Sequence, residues 1–256
     1  MAEFCTVEKE GRLTIVTIQR PEVMNACHPP ANAELAAAFD DFAADKDQWV
    51  AIITGAGDKA FSAGNDLKYQ ASGGKMFAVS AGFGGLTSRF DNPKPVIAAV
   101  NGIAMGGGFE IALACDLIIA SANAVFALPE PRVGLAALAG GVHRLPREIG
   151  MKRAMGMLLT GRRVSPEEGQ ELGFVNEVVP AGEALAGAKR WAEQILECAP
   201  ISVRASKQAA YNGMGQSLQD AMAGKYDQID ALRHSSDFVE GPLAFSEKRA
   251  PNWRGE

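Results

Sequence analysis

The sequence predicts a mixed α/β (α+β) fold: one large domain of short buried strands and helices over residues 1–197, then an all-helical region over 198–256. Three patterns carry the prediction. The chain opens as strand, strand, helix, strand. Two wholly apolar runs, VIAAV at 96–100 and LIIA at 117–120, bracket a glycine-rich turn and a short helix. From Glu183 onward, apolar residues recur at helical spacing through Arg233. With 256 residues, 47% of them hydrophobic, the chain is long enough to bury one such core. The C-terminal region is small for an independently folding unit.

Taken in order, residues 4–8 and 13–18 are β-rich runs separated by Lys9-Glu10-Gly11, a hairpin signature, and Arg20-Pro21 ends the second run. After an irregular segment, Leu35, Phe39 and Phe42 share one face of a helix over 31–45, with acids opposite. VAIIT at 50–54 reads as a short buried strand. Residues 55–85 are rich in Gly, Ala and Ser without periodicity, the composition of a binding or active-site loop. The strand at 96–100 leads through an Asn101-Gly102 turn and three glycines, Gly106 to Gly108, into a helix carrying Glu110, and then into the strand at 117–120. VFAL at 125–128 is a strand ending in Pro129-Glu130-Pro131, where two prolines hold the acid outside any helix. Helices follow over 141–149 and 152–159, and Ser165 caps a third with Glu168 in capping-box register. Residues 174–179 form a last strand. Leu185, Ala188, Trp191, Ala192 and Ile195 then make an apolar stripe, and no residue pattern repeats along the chain.

Composition removes several classes of function. A formal charge of -5 argues against binding a nucleic-acid backbone. Cys5, Cys27, Cys115 and Cys198 are far apart with no CxxC, and His28, His143 and His234 form no HxxxH, so neither a metal site nor a disulfide framework is expected. His143 reads as a cap or packing residue. The N-terminal residues lack a basic region followed by an apolar run, and no apolar run reaches the roughly 20 residues that cross a bilayer. A cytoplasmic protein without a membrane partner is therefore expected. GAGDKA at 55–60 loosely matches a dinucleotide fingerprint but does not open a helix. Ser62 and Ser80 lack the first glycine of a nucleophile elbow. The basic pairs Arg144/Arg147, Lys152/Arg153 and Arg162/Arg163 read as solvated helix faces or subunit contacts.

The candidate chemistry centres on the glycine run. A glycine run opening a helix leaves backbone N–H groups at a positive helix end, where a negative oxygen docks. Glu110 lies one turn on, either as an acid that the helix dipole favours or as a catalytic acid. Glu130 is either a surface turn residue or an acid with a chemical task. Each follows a buried strand, so both can project from one sheet edge as an acid and base pair. With a further N–H from the Ala63-Gly64-Asn65 turn, two donors and two carboxylates are the minimum for stabilising and protonating a thioester enolate. Near the end, Phe245 beside Lys248 and Arg249 reads either as a hold for an adenine and a phosphate or as a disordered basic tail.

These motifs together resemble the crotonase, or enoyl-CoA hydratase/isomerase, superfamily. The resemblance runs through QRPEVMNA, AFSAGNDLK, NGIAMGGGFEIALACD, FALPEPRVGL, LTGRRVSPEEGQELGFVNEVV and EGPLAFSEKRAPNW, in family order and over nearly the whole chain. It implies a spiral of ββα repeats forming two sheets, with C-terminal helices that assemble a homotrimer or a dimer of trimers. It also implies an oxyanion hole from the N–H groups of Asn65 and Gly107. Glu110 would activate a water for attack on the β-carbon, and Glu130 would supply the α-proton, in hydration of a trans-2-enoyl-CoA. The CoA part of this acyl-CoA thioester substrate would lie along Val23, Met24, Ala26, Ala63, Asp66, Leu67 and Lys68, with Phe245 and Lys248 of the same or a neighbouring subunit at the adenine. No separate cofactor is implied. Asn65, where alanine is common, and Pro131 depart from the family pattern. Within the same resemblance stand an isomerase working through Glu130 alone, a dehydratase of the carnitinyl-CoA type, and a CoA-thioester binder without turnover.

Overall fold

The computed structural model describes residues 3–75 and 77–256. β1 (Cys5–Glu10) and β2 (Leu13–Ile18) form an antiparallel hairpin with Cys5 opposite Ile18 and Glu10 opposite Leu13. α1 (Pro29–Ala44) buries Leu35, Phe39 and Phe42, and the His28 ring caps its first turn by accepting from the Ala31 N–H. β3 (Val50–Gly55), β4 (Ala60–Ser62) and α2 (Leu67–Ala71) follow. Next come β5 (Val96–Val100), β6 (Ile103–Met105) and α3 (Gly107–Ala114), then β7 (Leu117–Ser121) and β8 (Val125–Ala127). α4 (Gly141–Ile149), α5 (Met151–Leu158), α6 (Pro166–Leu172), β9 (Glu177–Val179) and α7 (Ala184–Leu196) complete the part that contains both sheets. α8 (Pro200–Gly213), α9 (Leu218–Ala223), α10 (Asp227–His234) and α11 (Asp237–Glu247) end the chain.

The strands sort into two sheets, in the orders β1-β2-β3-β5-β7-β9 and β4-β6-β8, and every pairing except β1 with β2 is parallel. The chain alternates between them: β3 then β4, β5 then β6, β7 then β8. Each coil of the spiral therefore adds one strand to each sheet. Parallel strands covered on both faces are apolar throughout. On β5, Val96, Ala98 and Val100 face the cluster that includes α1 and α3, while Ile97 and Ala99 face the cluster that includes α7. Phe109, Phe126 and Phe174 pin α3, β8 and the residues after α6 together, with ring centroids 5.1 to 5.2 Å apart.

The structure departs from the sequence reading in places that share one cause. Residues 55–85 are not one loop but hold β4 and α2, and β6 follows the Asn101-Gly102 turn. Three-residue strands are too short to show a period, so the spiral leaves no repeat in the sequence. GAGDKA leads into β4 rather than a helix, and Asn101 fixes its turn by donating to the carbonyls of Gly55 and Gly57, both at 2.8 Å. The strand expected over 174–179 shortens to Glu177–Val179 because Phe174 and Val175 donate instead to the Gly169 carbonyl, closing the end of α6. Glu130 is not outside helical structure: it opens a short 3-10 turn, Glu130–Val133. His143 is exposed rather than a cap or packing residue. Among the described residues no helix is long and apolar enough to cross a membrane.

Glycines set how closely α3 approaches β4. A Cβ on Gly108 would overlap the Ser62 carbonyl oxygen, which is main chain and cannot turn aside. Gly108→Ala is therefore expected to destabilise the protein by about 2 kcal/mol or more, in the range of overpacked core sites. A thermal melt unchanged from that of the parent protein would contradict this contact.

Candidate active site

The first part of the site is a junction between two turns. Met24 and Asn25 both adopt left-handed backbone, at φ 57° and 54°. Asn25 is fully buried, accepts from the Arg20 N–H at 3.0 Å and donates to the carbonyls of Ala56 at 2.9 Å and Ala60 at 2.7 Å. It thereby holds residues 20–26 against the turn into β4. Main-chain bonds continue the match: Ala63 N–H to Met24 carbonyl at 2.9 Å, Cys27 N–H to Gly64 carbonyl at 2.8 Å, Asp66 N–H to Cys27 carbonyl at 3.1 Å. The structure thus brings together Val23, Met24 and Ala26 with Ala63 and Asp66, and α2 carries Leu67 and Lys68 onward from there. Ser62, buried, donates to the Asn25 carbonyl at 2.8 Å and accepts from the Gly64 N–H at 3.1 Å, which gives it a structural task in this turn.

The second turn belongs to α3. Gly64 has φ +89°, and a Cβ there would lie 2.6 Å from the Met105 carbonyl oxygen and 2.8 Å from the Gly107 nitrogen, so only glycine lets the two turns touch. Asn65 and Gly107 therefore stand on either side of one contact. Among the described residues neither of their N–H groups has an acceptor within the chain. Gly107 is the first residue of α3, whose N–H has no intrahelical acceptor. The Asn65 side chain turns outward and donates to Gln70 Oε1 at 2.8 Å, leaving the N–H to act without it. The Phe83 ring covers Gly107 so closely that a Cβ would lie 2.5 Å from it.

The two glutamates meet this junction from different elements. Glu130 lies with Oε1 beside Gly106, 3.0 Å from where a Cβ would stand, and its Oε2 is buried with no hydrogen-bond partner among the described residues. Glu110, 3% exposed on α3, accepts at Oε1 from the Gly141 N–H at 2.8 Å, at the start of α4. Burial pushes the Glu110 carboxyl up to about 7; the Gly141 N–H opposes the rise and the neighbouring Glu130 adds to it. Burial also pushes Glu130 above the ordinary carboxylate range.

Some expected ligands of CoA have other partners in this chain. The Asp66 carboxylate caps α2 by accepting from the Tyr69 N–H at 3.0 Å and pairs with Arg20 at 3.0 Å. Phe245 is 87% exposed on α11, which packs on α10 and against Trp253, and Lys248 ends that helix in left-handed backbone at φ 56°. Within one chain, Phe245 and Lys248 are not brought to the glutamates. A cavity of about 320 Å³ between α8, α9 and α10 shares no lining residue with the site. The sequence reading missed Gly141 and Phe83, and took Arg144 for part of a solvated helix face or a subunit contact. Arg144 is half-buried and donates to the Thr87 carbonyl at 2.9 Å, whereas Arg147 is exposed and bonds only the His143 carbonyl on its own helix. The signal for Gly141 lay in Gly140-Gly141 opening a helix; Phe83 lay unmarked among the glycines of 82–85.

Comparison with known proteins agrees with this geometry. A family model described as enoyl-CoA hydratase/isomerase matches residues 8–256. A carnitinyl-CoA dehydratase from Salmonella arizonae is 43% identical over the full length of both chains, and one from Escherichia coli K12 is 41% identical with the same coverage. Among solved structures, an enoyl-CoA hydratase from Mycobacterium tuberculosis H37Rv superposes with a TM-score of 0.92 at 39% identity, covering 99% of each chain. An enoyl-CoA hydratase from Mycobacterium marinum gives 0.93 at 40% identity, also over 99% of each. The spiral, its glycine junction and these full-length likenesses agree, and the chain belongs to the enoyl-CoA hydratase/isomerase family of enzymes, the crotonase superfamily.

Proposed function

We propose that the chain is a hydro-lyase that adds water across the 2,3 double bond of a trans-2-enoyl-CoA, through a thioester enolate held by the N–H groups of Asn65 and Gly107. The observation that carries this reading is the placement of two carboxyls, the buried Glu110 and Glu130 with its buried Oε2, beside a junction that presents two N–H donors without acceptors among the described residues. As water attacks the β-carbon, charge develops on the thioester oxygen, and donors already in place stabilise it without reorganisation. Glu110 takes the proton of the attacking water while Glu130 delivers one to the α-carbon, so the pair ends with its proton on the other carboxyl. Coenzyme A enters as part of the substrate, and the chemistry described asks for no resident cofactor.

A second reading is favoured by the identity of 43% to a carnitinyl-CoA dehydratase: the same pair would remove water from a β-hydroxyacyl-CoA that carries a quaternary ammonium group. The two readings share every catalytic group and differ in substrate. Absorbance of the conjugated thioester, followed with crotonyl-CoA, longer trans-2-enoyl-CoAs and carnitinyl-CoA, separates them. Absence of turnover on the whole panel would sink both and leave the binder without turnover.

The helical region 198–256 is proposed to assemble a homotrimer, singly or as a dimer of trimers. Tyr211, Met214, Leu218, Met222, Val239 and Phe245 are exposed on its helices, more apolar surface than a lone chain of this size needs to show. Assembly would also place Phe245 and Lys248 where a neighbour's CoA can reach them. Light scattering should give three or six times the mass of one chain; a monomer at assay concentration would contradict this.

Glu110→Gln is expected to lower hydration by roughly 10²- to 10⁴-fold, the usual contribution of a positioned general base. Double-bond migration that relies on Glu130 alone would be spared, so an unaffected rate would point to the isomerase. With Glu110 near 7 and active as the carboxylate, kcat/KM should fall as pH drops through about 7. A profile flat from pH 5 to 8 would speak against the pair.

A further inference from the structure

Phe83 meets the junction face on. The three ring carbons nearest to the place of a Cβ on Gly107 stand 2.5, 2.8 and 2.9 Å from it, near-equal distances that put Gly107 against the face of the ring rather than its edge. The turn that presents the ring is pinned to two helices. Gly84, at φ +61°, lies against the Ile111 side chain of α3, and Gly85, at φ +69°, against the Leu35 and Ala36 main chain of α1, so neither can carry a side chain. The Phe83 N–H donates to Thr87 Oγ1 at 2.8 Å, and the Gly84 N–H to Oδ1 of the buried Asn32 at 2.8 Å. Yet the ring is not wholly core. Phe109 and Phe126 are fully buried, whereas Phe83 stays half-buried. A phenyl ring held this firmly and left partly open forgoes apolar burial, which points to a ligand on its uncovered surface.

Gly107 carries one of the two N–H groups that have no acceptor among the described residues, and at Gly106 the Glu130 Oε1 stands 3.0 Å from the place of a Cβ. A thioester oxygen bound to the Gly107 N–H, about 2.9 Å from the nitrogen, brings its carbonyl carbon and α-carbon alongside the ring. We propose that Phe83 is a specificity-determining residue: its ring walls the space beside the α-carbon and restricts the site to acyl groups that are unbranched there. The proposal rests on the reading of Asn65 and Gly107 as donors to the thioester oxygen, and adds a substrate class to it. An α-methyl group would press on a ring with little room to yield, since Gly107 lies on one face and the turn that carries it abuts α1 and α3. A linear acyl group presents only hydrogen at that carbon and passes the wall.

Titration calorimetry with butanoyl-CoA and 2-methylbutanoyl-CoA tests it, since the two differ by one α-methyl group and neither has a double bond to hydrate. The parent protein should bind the linear ligand about tenfold more tightly, the discrimination that a packed pocket exerts over one carbon. Phe83→Leu should narrow that ratio about threefold and Phe83→Ala should bring it near one, chiefly by tighter binding of the branched ligand. A ring with only a structural task would weaken both ligands alike and leave the ratio where it was. Phe83→Leu keeps apolar bulk on the turn and decides the matter should Phe83→Ala fail to fold. Equal binding of the two ligands by the parent protein, or a ratio unchanged in Phe83→Leu, overturns the proposal. If Glu110→Gln still slows hydration in that case, the hydration reading stands alone. A ratio that narrows in a protein that turns over no enoyl-CoA keeps the wall and removes the hydration. Binding of neither ligand removes the donor reading and this proposal with it.

Discussion

The close approach of two main-chain turns, at Ser62–Asn65 and at Gly106–Gly108, is the constraint on which the rest of the site depends. Neither turn could carry side chains at the contact: Gly64 lies against the Met105 carbonyl and the Gly107 nitrogen, and Gly108 against the Ser62 carbonyl. Main chain packed against main chain cannot relax by a rotamer change, so the separation of the two turns is fixed by the sheet beneath them. That sheet is β4-β6-β8, whose three short parallel strands deliver the turn at 62–65, the start of α3 and the turn at Glu130 to one edge. The spiral therefore builds the site by translation, one component per coil. The large sheet, buried on both faces, supplies the core that keeps the coils in register.

Around this junction the chain places polar groups by two different means. Those that hold the site together are fully bonded: Asn25 uses its oxygen and both amide hydrogens to staple two segments, and Asp66 is shared between a helix cap and Arg20. Of those proposed to do chemistry, Glu110 accepts from Gly141, while the N–H groups of Asn65 and Gly107 and the Oε2 of Glu130 have no partner among the described residues. Buried polar groups are ordinarily satisfied, so the unpartnered Oε2 of Glu130 beside the glycine junction is what the proposed chemistry would use. α4 adds a donor to one carboxyl alone, the Gly141 N–H on Glu110.

Much of this was legible in the sequence where a residue type has one physical use. The apolar runs at 96–100 and 117–120 read as buried strands, and three successive glycines before Glu110 mark a helix start with free N–H groups. The motif resemblance supplied the spiral, which residue periodicity could not, because β4, β6 and β8 have three residues each. The role of Gly141 was not legible. It acts on Glu110 across 31 positions, through a contact between α3 and α4 that no local pattern encodes. Asp66 shows another limit: its type and position gave no sign that its carboxylate is committed to Tyr69 and Arg20.

The central claim is that the N–H groups of Asn65 and Gly107 grip the thioester oxygen of the substrate. It is tested most directly by difference infrared spectroscopy of crotonyl-CoA labelled with carbon-13 at the thioester carbonyl, bound to the Glu110→Gln variant so that turnover is slow on the timescale of the spectrum. Two preorganised donors should polarise that bond and lower its stretching frequency relative to the free thioester in water. A bound carbonyl that absorbs at or above the solution frequency would contradict the account.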